Sequence, residues 1–90
     1  MVEKIAALEP YINLKSLYLE NNVIRQIQGL DHLDQLVNLF LQNNMIKKIE
    51  GLSKLQNLKV LNLSNNTIFK LEGLEELTQL QNLNLSKTKV

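Results

Sequence analysis

Residues 30–51 read LDHLDQLVNLFLQNNMIKKIEG, and the next 22, residues 52–73, read LSKLQNLKVLNLSNNTIFKLEG. Residues 8–29, LEPYINLKSLYLENNVIRQIQG, keep the same frame, and a further copy, LEELTQLQNLNLSKTKV, occupies residues 74–90. Each copy is numbered here from its first leucine. Position 1 then holds Leu8, Leu30, Leu52 and Leu74, and position 4 holds Tyr11, Leu33, Leu55 and Leu77. Position 7 holds Leu14, Leu36, Leu58 and Leu80, position 10 holds Leu17, Leu39, Leu61 and Leu83, and position 12 holds Leu19, Leu41, Leu63 and Leu85. Position 17 holds Ile24, Ile46, Ile68 and Val90, and position 20 holds Ile27, Ile49 and Leu71.

Leucines two apart at positions 10 and 12 point to one side of an extended strand. Apolar residues three apart at positions 1, 4 and 7 predict a short helical or 3₁₀ segment. Gly29, Gly51 and Gly73 stand where that segment begins and permit a tight corner. Burying one Leu or Ile stabilises by roughly 1.5–3 kcal/mol, and each coil offers about seven such side chains against the entropy of ordering the rest. One coil cannot stand alone, but stacked coils share a continuous core. A 22-residue period carrying LxxLxLxxN marks a leucine-rich-repeat solenoid. The expected fold is therefore α/β and right-handed, with about four coils. Parallel strands line the concave face, and short helical or 3₁₀ turns line the convex face. The whole chain reads as one domain: a partial coil at 1–7, coils at 8–29, 30–51 and 52–73, and a partial coil at 74–90. Val2, Ile5 and Ala7 fall at positions 17, 20 and 22, although residues 3–9 also allow a short helical cap ended by Pro10. Asn22, Asn44 and Asn66, at position 15, are expected to bond backbone groups left without ladder partners at the bend.

The chain has 90 residues, a net charge of +1 and no cysteine. Disulfides and thiolate metal sites are excluded, and a reducing, cytoplasmic setting is favoured. No apolar run is long enough to span a membrane, and the start, MVEKIAALEPY, lacks a signal-peptide core. The N-x-S/T triplets at Asn62, Asn65 and Asn84 fall on repeat positions and stay unmodified in such a setting. With so small a net charge there is no global field for nucleic acid or an anionic membrane, and neither is an expected partner. Catalysis is not expected either: the one histidine, His32, has no nucleophile or second ligand at a useful spacing, and the three glycines form no phosphate loop. No cofactor is implied. Neither end shows a polar cap, so a fragment of a longer array, or self-association through open ends, is a further expectation.

Function is sought in the variable positions. On the strand, positions 9, 11 and 13 face outward. They carry Ser16, Asn38, Val60 and Asn82; Tyr18, Phe40, Asn62 and Asn84; and Glu20, Gln42, Ser64 and Ser86. Tyr18 and Phe40 should lie side by side in water, as partner-binding anchors or as a cross-strand stabilising pair. Glu20 is the only charge on this face, available to a partner's cation or simply solvated. The partner-binding set is Tyr18, Phe40, Glu20, Gln42, Asn38, Asn62 and Asn84. A second column, Arg25, Lys47, Lys48, Phe69 and Lys70, reads as a solvated side balanced by Glu50, Glu72, Glu75 and Glu76, or as a patch for an acidic partner. Phe69 either packs back toward Tyr11 or extends that patch. Tyr11 is expected to cap the first coil's packing, and His32 to be exposed. Four strands about 4.8 Å apart and roughly five residues long give a face of about 300 Å². A standard interface takes about 800 Å² per partner, so rims must join in.

The unit LxxLxxLxxLxLxxNxIxxIxG resembles the 22-residue leucine-rich-repeat subclass typified by a nuclear regulatory subunit of protein phosphatase 1. The segments NLKSLYLENNVIRQIQGL, LFLQNNMIKKIEGL and LNLSNNTI look most like axonemal dynein assembly factors of the leucine-rich-repeat type. The resemblance implies a scaffold that binds another protein, without a cofactor, in dynein assembly or in phosphatase 1 regulation. Its setting would be the cytoplasm, the cilium or the nucleus. No residue role is carried over with it, because the matching positions are the shared core.

Overall fold

The computed structural model describes residues 1–90. In each coil the alternation around position 10 yields one short strand: β1 (Ser16–Tyr18), β2 (Asn38–Phe40), β3 (Val60–Asn62) and β4 (Asn82–Asn84). They pair in parallel in the order β1-β2-β3-β4, with Leu17 beside Leu39, Leu39 beside Leu61 and Leu61 beside Leu83. The register carries no offset, so every position of one coil sits beside the same position of the next. Hydrogen bonding continues past the strands to position 14, through Leu19 N–H to Phe40 O at 2.9 Å and Asn21 N–H to Gln42 O at 3.0 Å, and equivalently in later coils. On the return side one bond per coil joins position 16 to position 17 of the preceding coil: Met45 N–H to Ile24 O at 2.8 Å and Thr67 N–H to Ile46 O at 2.9 Å. Coils are thus sewn together along two lines, and parallel crossovers of this kind are right-handed. The result is a slab of 32 × 30 × 15 Å.

Where the sequence predicts a short helical or 3₁₀ segment, the backbone makes two successive i→i+3 turns. In the second full coil Leu33 N–H donates to Leu30 O at 2.9 Å and Leu36 N–H to Leu33 O at 3.1 Å, and the other coils repeat this. The bond span and the three-residue side-chain spacing are those of a 3₁₀ turn. Only every third N–H is engaged, so no continuous helix forms. Positions 1, 4 and 7 all still turn inward.

The core is the ladder itself. Leu30, Leu33, Leu36, Leu39, Leu41, Ile46 and Ile49 are buried in one coil, and Leu52, Leu55, Leu58, Leu61, Leu63 and Ile68 in the next. Ile5 is buried at position 20 as well, and Ala7 at position 22 has φ 63°, the conformation that Gly29, Gly51 and Gly73 adopt at φ 70–73°. Residues 3–9 contain no helix. At the glycine corner two constraints coincide. A side chain is disfavoured at positive φ, and a Cβ on Gly51 would lie 2.6 Å from the Ile27 carbonyl oxygen.

Tyr11 departs from expectation. Its position-4 equivalents are buried, yet it is 54% exposed. Residues 1–7 supply only the last positions of a coil, so no position-4 neighbour covers its outer side, and it does not cap the first coil. Leu71 is 59% exposed for the same reason on the other side, since no following residue reaches position 20.

Candidate interaction surface

The bend after each strand decides how the face is held. Its two asparagines do different work. At position 14, Asn21, Asn43 and Asn65 take φ of 62°, 60° and 52°, a region asparagine enters more readily than other side chains. Their amides form an exposed ladder along the rim, Asn43 Nδ2 to Asn21 Oδ1 and Asn65 Nδ2 to Asn43 Oδ1, both at 2.7 Å. At position 15 the amide turns inward. Asn44 Nδ2 donates to Leu41 O and Leu19 O, each at 3.0 Å, and its Oδ1 accepts from Ile24 N–H at 3.0 Å. Asn66 repeats the set with Leu63, Leu41 and Ile46. The expected bonding to the bend is present, and it also ties each coil to the one before. The position-14 ladder is absent from the sequence reading above, although the repeated Asn-Asn doublet carried its signal: two adjacent asparagines exceed what one buried amide requires.

With the bend fixed, the outward residues of positions 9, 11 and 13 come together as predicted. Tyr18 and Phe40 are register partners, and their rings stack with centroids 4.9 Å apart and planes 7° from parallel. Tyr18 is 64% exposed and Phe40 is half-buried. Asn38 Nδ2 donates to Ser16 Oγ at 3.0 Å, which ties the two strands just ahead of the rings. Beyond the rings, Glu20 and Gln42 are half-buried, and Gln42 Oε1 is a buried acceptor with no donor.

The other half of the face is built differently. Asn62 Oδ1 accepts from Ser64 N–H at 3.1 Å, and Asn84 Oδ1 from Ser86 N–H at 3.0 Å. These position-11 side chains turn back on their own strand as local Asx turns. They lie on the face with the rings, but half of each amide is already engaged.

The remaining candidates do not assemble into a site. Arg25, Lys47, Lys48, Phe69 and Lys70 are all exposed, and Lys70 Nζ lies 3.8 Å from Glu72 in the one ion pair of the chain. Phe69, 69% exposed, does not pack back toward Tyr11. His32 is half-buried rather than exposed, because its Nε2 lies 2.7 Å from the Leu8 carbonyl oxygen of the preceding coil. The surface has two shallow depressions, one lined by Glu3, Lys4, Arg25, Gln26 and Gln28 and the other by Asp34, Gln35, Lys54, Gln56 and Asn57, with no apolar wall in either. Small-molecule sites are concave and mostly apolar, which neither depression is.

The stacked coils, the in-register strands and the asparagine bend define a repeat protein whose variable residues sit on a sheet. Residues 12–54 and 34–76 match the family described as Leucine Rich repeats (2 copies), and the chain belongs to that family. It is similar to the crystal structure of an internalin from Listeria monocytogenes strain 4b F2365, with 30% sequence identity and a TM-score of 0.82. The likeness covers 92% of this chain and 24% of the internalin chain, so the chain spans about a quarter of that protein. A comparison with curated proteins gives no match. Leucine-rich-repeat proteins act as protein-interaction scaffolds, and family and fold point to a non-enzymatic interaction module.

Proposed function

We propose that this chain binds a partner protein through its strand face, with Tyr18 and Phe40 as the anchor. One observation carries the reading: two rings stack in water on a surface whose fold does not require them. Positions 10 and 12 supply the core, and the third and fourth strands pair in the same register with asparagine in place of the rings. Exposed aromatic side chains give large contact area at small entropic cost, and they dominate interface energetics. Asn38, Glu20, Gln42, Asn62 and Asn84 surround the rings as the polar rim. The face is about 300 Å² by strand spacing against about 800 Å² for a standard interface. The partner therefore wraps onto the Asn21–Asn43–Asn65 rim as well, or binds weakly.

The likeness of the repeats to axonemal dynein assembly factors and to the nuclear regulatory subunit of protein phosphatase 1 supports a scaffold in dynein assembly, or else a phosphatase regulator. Proteins of those two systems are the first partners to try. The lack of cysteine supports a cytoplasmic setting. The test is affinity capture from cell extract with the wild type, with Tyr18→Ala/Phe40→Ala, and with Lys47→Ser/Lys48→Ser as a control surface. The reading requires a protein that is lost from the ring variant and kept by the lysine variant, with circular dichroism unchanged in both. Equal capture by all three removes the strand-face anchor.

A further inference from the structure

The strand face carries a specific chemistry beside its rings. Tyr18 has one face on Phe40. Tyr18 is 64% exposed, so much of its ring is available to a partner. Glu20 is two residues on from Tyr18, on the same side of the same strand, about 6.6 Å along it. It is the only ionisable side chain at positions 9, 11 and 13 of any coil apart from the Tyr18 hydroxyl, and it forms no ion pair. An exposed aromatic ring and a carboxylate without an ion-pair partner call for the same complement: a cation with several N–H donors.

We infer that the partner presents an arginine side chain to this face, its guanidinium packed on the exposed Tyr18 ring and hydrogen-bonded to Glu20. A planar guanidinium packs flat on an aromatic ring, and its N–H fork reaches sideways to a carboxylate in a way a lysine ammonium does not. Charge-assisted bonds of this kind are the strong ones. The partner segment is therefore basic and arginine-bearing. This inference rests on the strand-face reading and gives it a ligand class.

The test uses the ¹⁵N-labelled chain titrated with N-acetyl-arginine N-methylamide and, in parallel, with the citrulline analogue, which keeps the shape and hydrogen bonding but loses the charge. The arginine probe should shift the amides of Tyr18, Glu20 and Phe40 and bind about tenfold more tightly than the citrulline probe. Glu20→Gln should remove most of that preference, and Tyr18→Ala/Phe40→Ala should remove the response. Equal response to both probes, arginine shifts that map elsewhere, full arginine affinity in Glu20→Gln, or no shift up to the solubility limit each overturns the inference. Capture separates the two levels. If the ring variant loses its partner while Glu20→Lys keeps it, the strand-face anchor stands and the arginine assignment falls. If neither variant loses it, the anchor itself falls.

Discussion

Two halves of one sheet share the strand leucines at positions 10 and 12 and differ in their outward columns, most sharply at position 11. In the first two coils position 11 carries stacked rings that face water. In the third and fourth it carries Asn62 and Asn84, whose amides close on their own backbone. The strand register and the leucines at positions 10 and 12 are the same in both halves. The fold is therefore indifferent to what stands at position 11. The asparagine half is the fold's default solution, in which the side chain satisfies itself locally, and the ring half is left over for a partner.

The strongest way to break this comparison is to remove the core the halves share. Leu41→Ala empties a fully buried position under the ring half and should cost about 2–5 kcal/mol, read as a drop in the urea midpoint. Leu85→Ala, in the half-buried rung of the last coil, should cost about 1 kcal/mol by the same measurement. Equal costs would mean that stacking on both sides does not set burial energy here.

Gly51→Ala and Gly29→Ala come next. Both glycines have positive φ, but the added Cβ meets the preceding carbonyl oxygen at 2.6 Å for Gly51 and 3.3 Å for Gly29. The first change should cost about 3 kcal/mol and the second about 1 kcal/mol. Ala7 already holds φ 63° at the same corner position, so alanine can adopt this backbone conformation.

Asn44→Ala strips the bend after β2 of its buried amide and leaves Ile24 N–H without its acceptor, a loss of about 2 kcal/mol. Asn43→Ala, on the exposed rim, should cost less than about 1 kcal/mol, since only the αL preference and one solvent-exposed bond are lost. The smallest effect is the one that discriminates best. A double-mutant cycle between Tyr18 and Phe40 should give a coupling of about 0.5–1.5 kcal/mol, and the same cycle between Asn62 and Asn84 should give about zero, because each bonds to its own strand. A coupling for the rings much above this range would make the pair a structural device, and the binding reading would lose its ground.

Most of the fold was legible in the residues. The rungs predict the strands, their register and the buried set, because a strict period forces like onto like. The inward asparagines were readable too, since a polar residue at a fixed place beside the core must find backbone partners. What escaped depends on distances between coils. The spacing of positions 1, 4 and 7 cannot distinguish a helix from two turns, because both place the same side chains inward. His32 reads as a lone exposed ring until the Leu8 carbonyl of the coil below is placed beside it. Tyr11 looks like a core residue by position and is not: no position-4 side chain of a preceding coil lies against it, whereas Leu77, with Leu55 before it, is buried. The ring pair was placed correctly from the period alone, whereas the engaged amides of Asn62 and Asn84 were not, since an Asx turn is a choice of rotamer that no spacing records.

The most direct test is partner affinity measured side by side for Tyr18→Ala/Phe40→Ala and Asn62→Ala/Asn84→Ala, using whichever protein the wild type captures. Removing the rings should weaken binding at least about 100-fold, as for paired aromatic anchors worth over 2.7 kcal/mol, with the circular dichroism spectrum retained. Removing the asparagines should change affinity by less than about threefold. Equal losses from the two variants, or unchanged affinity without the rings, would contradict the division of the face into a binding half and a default half.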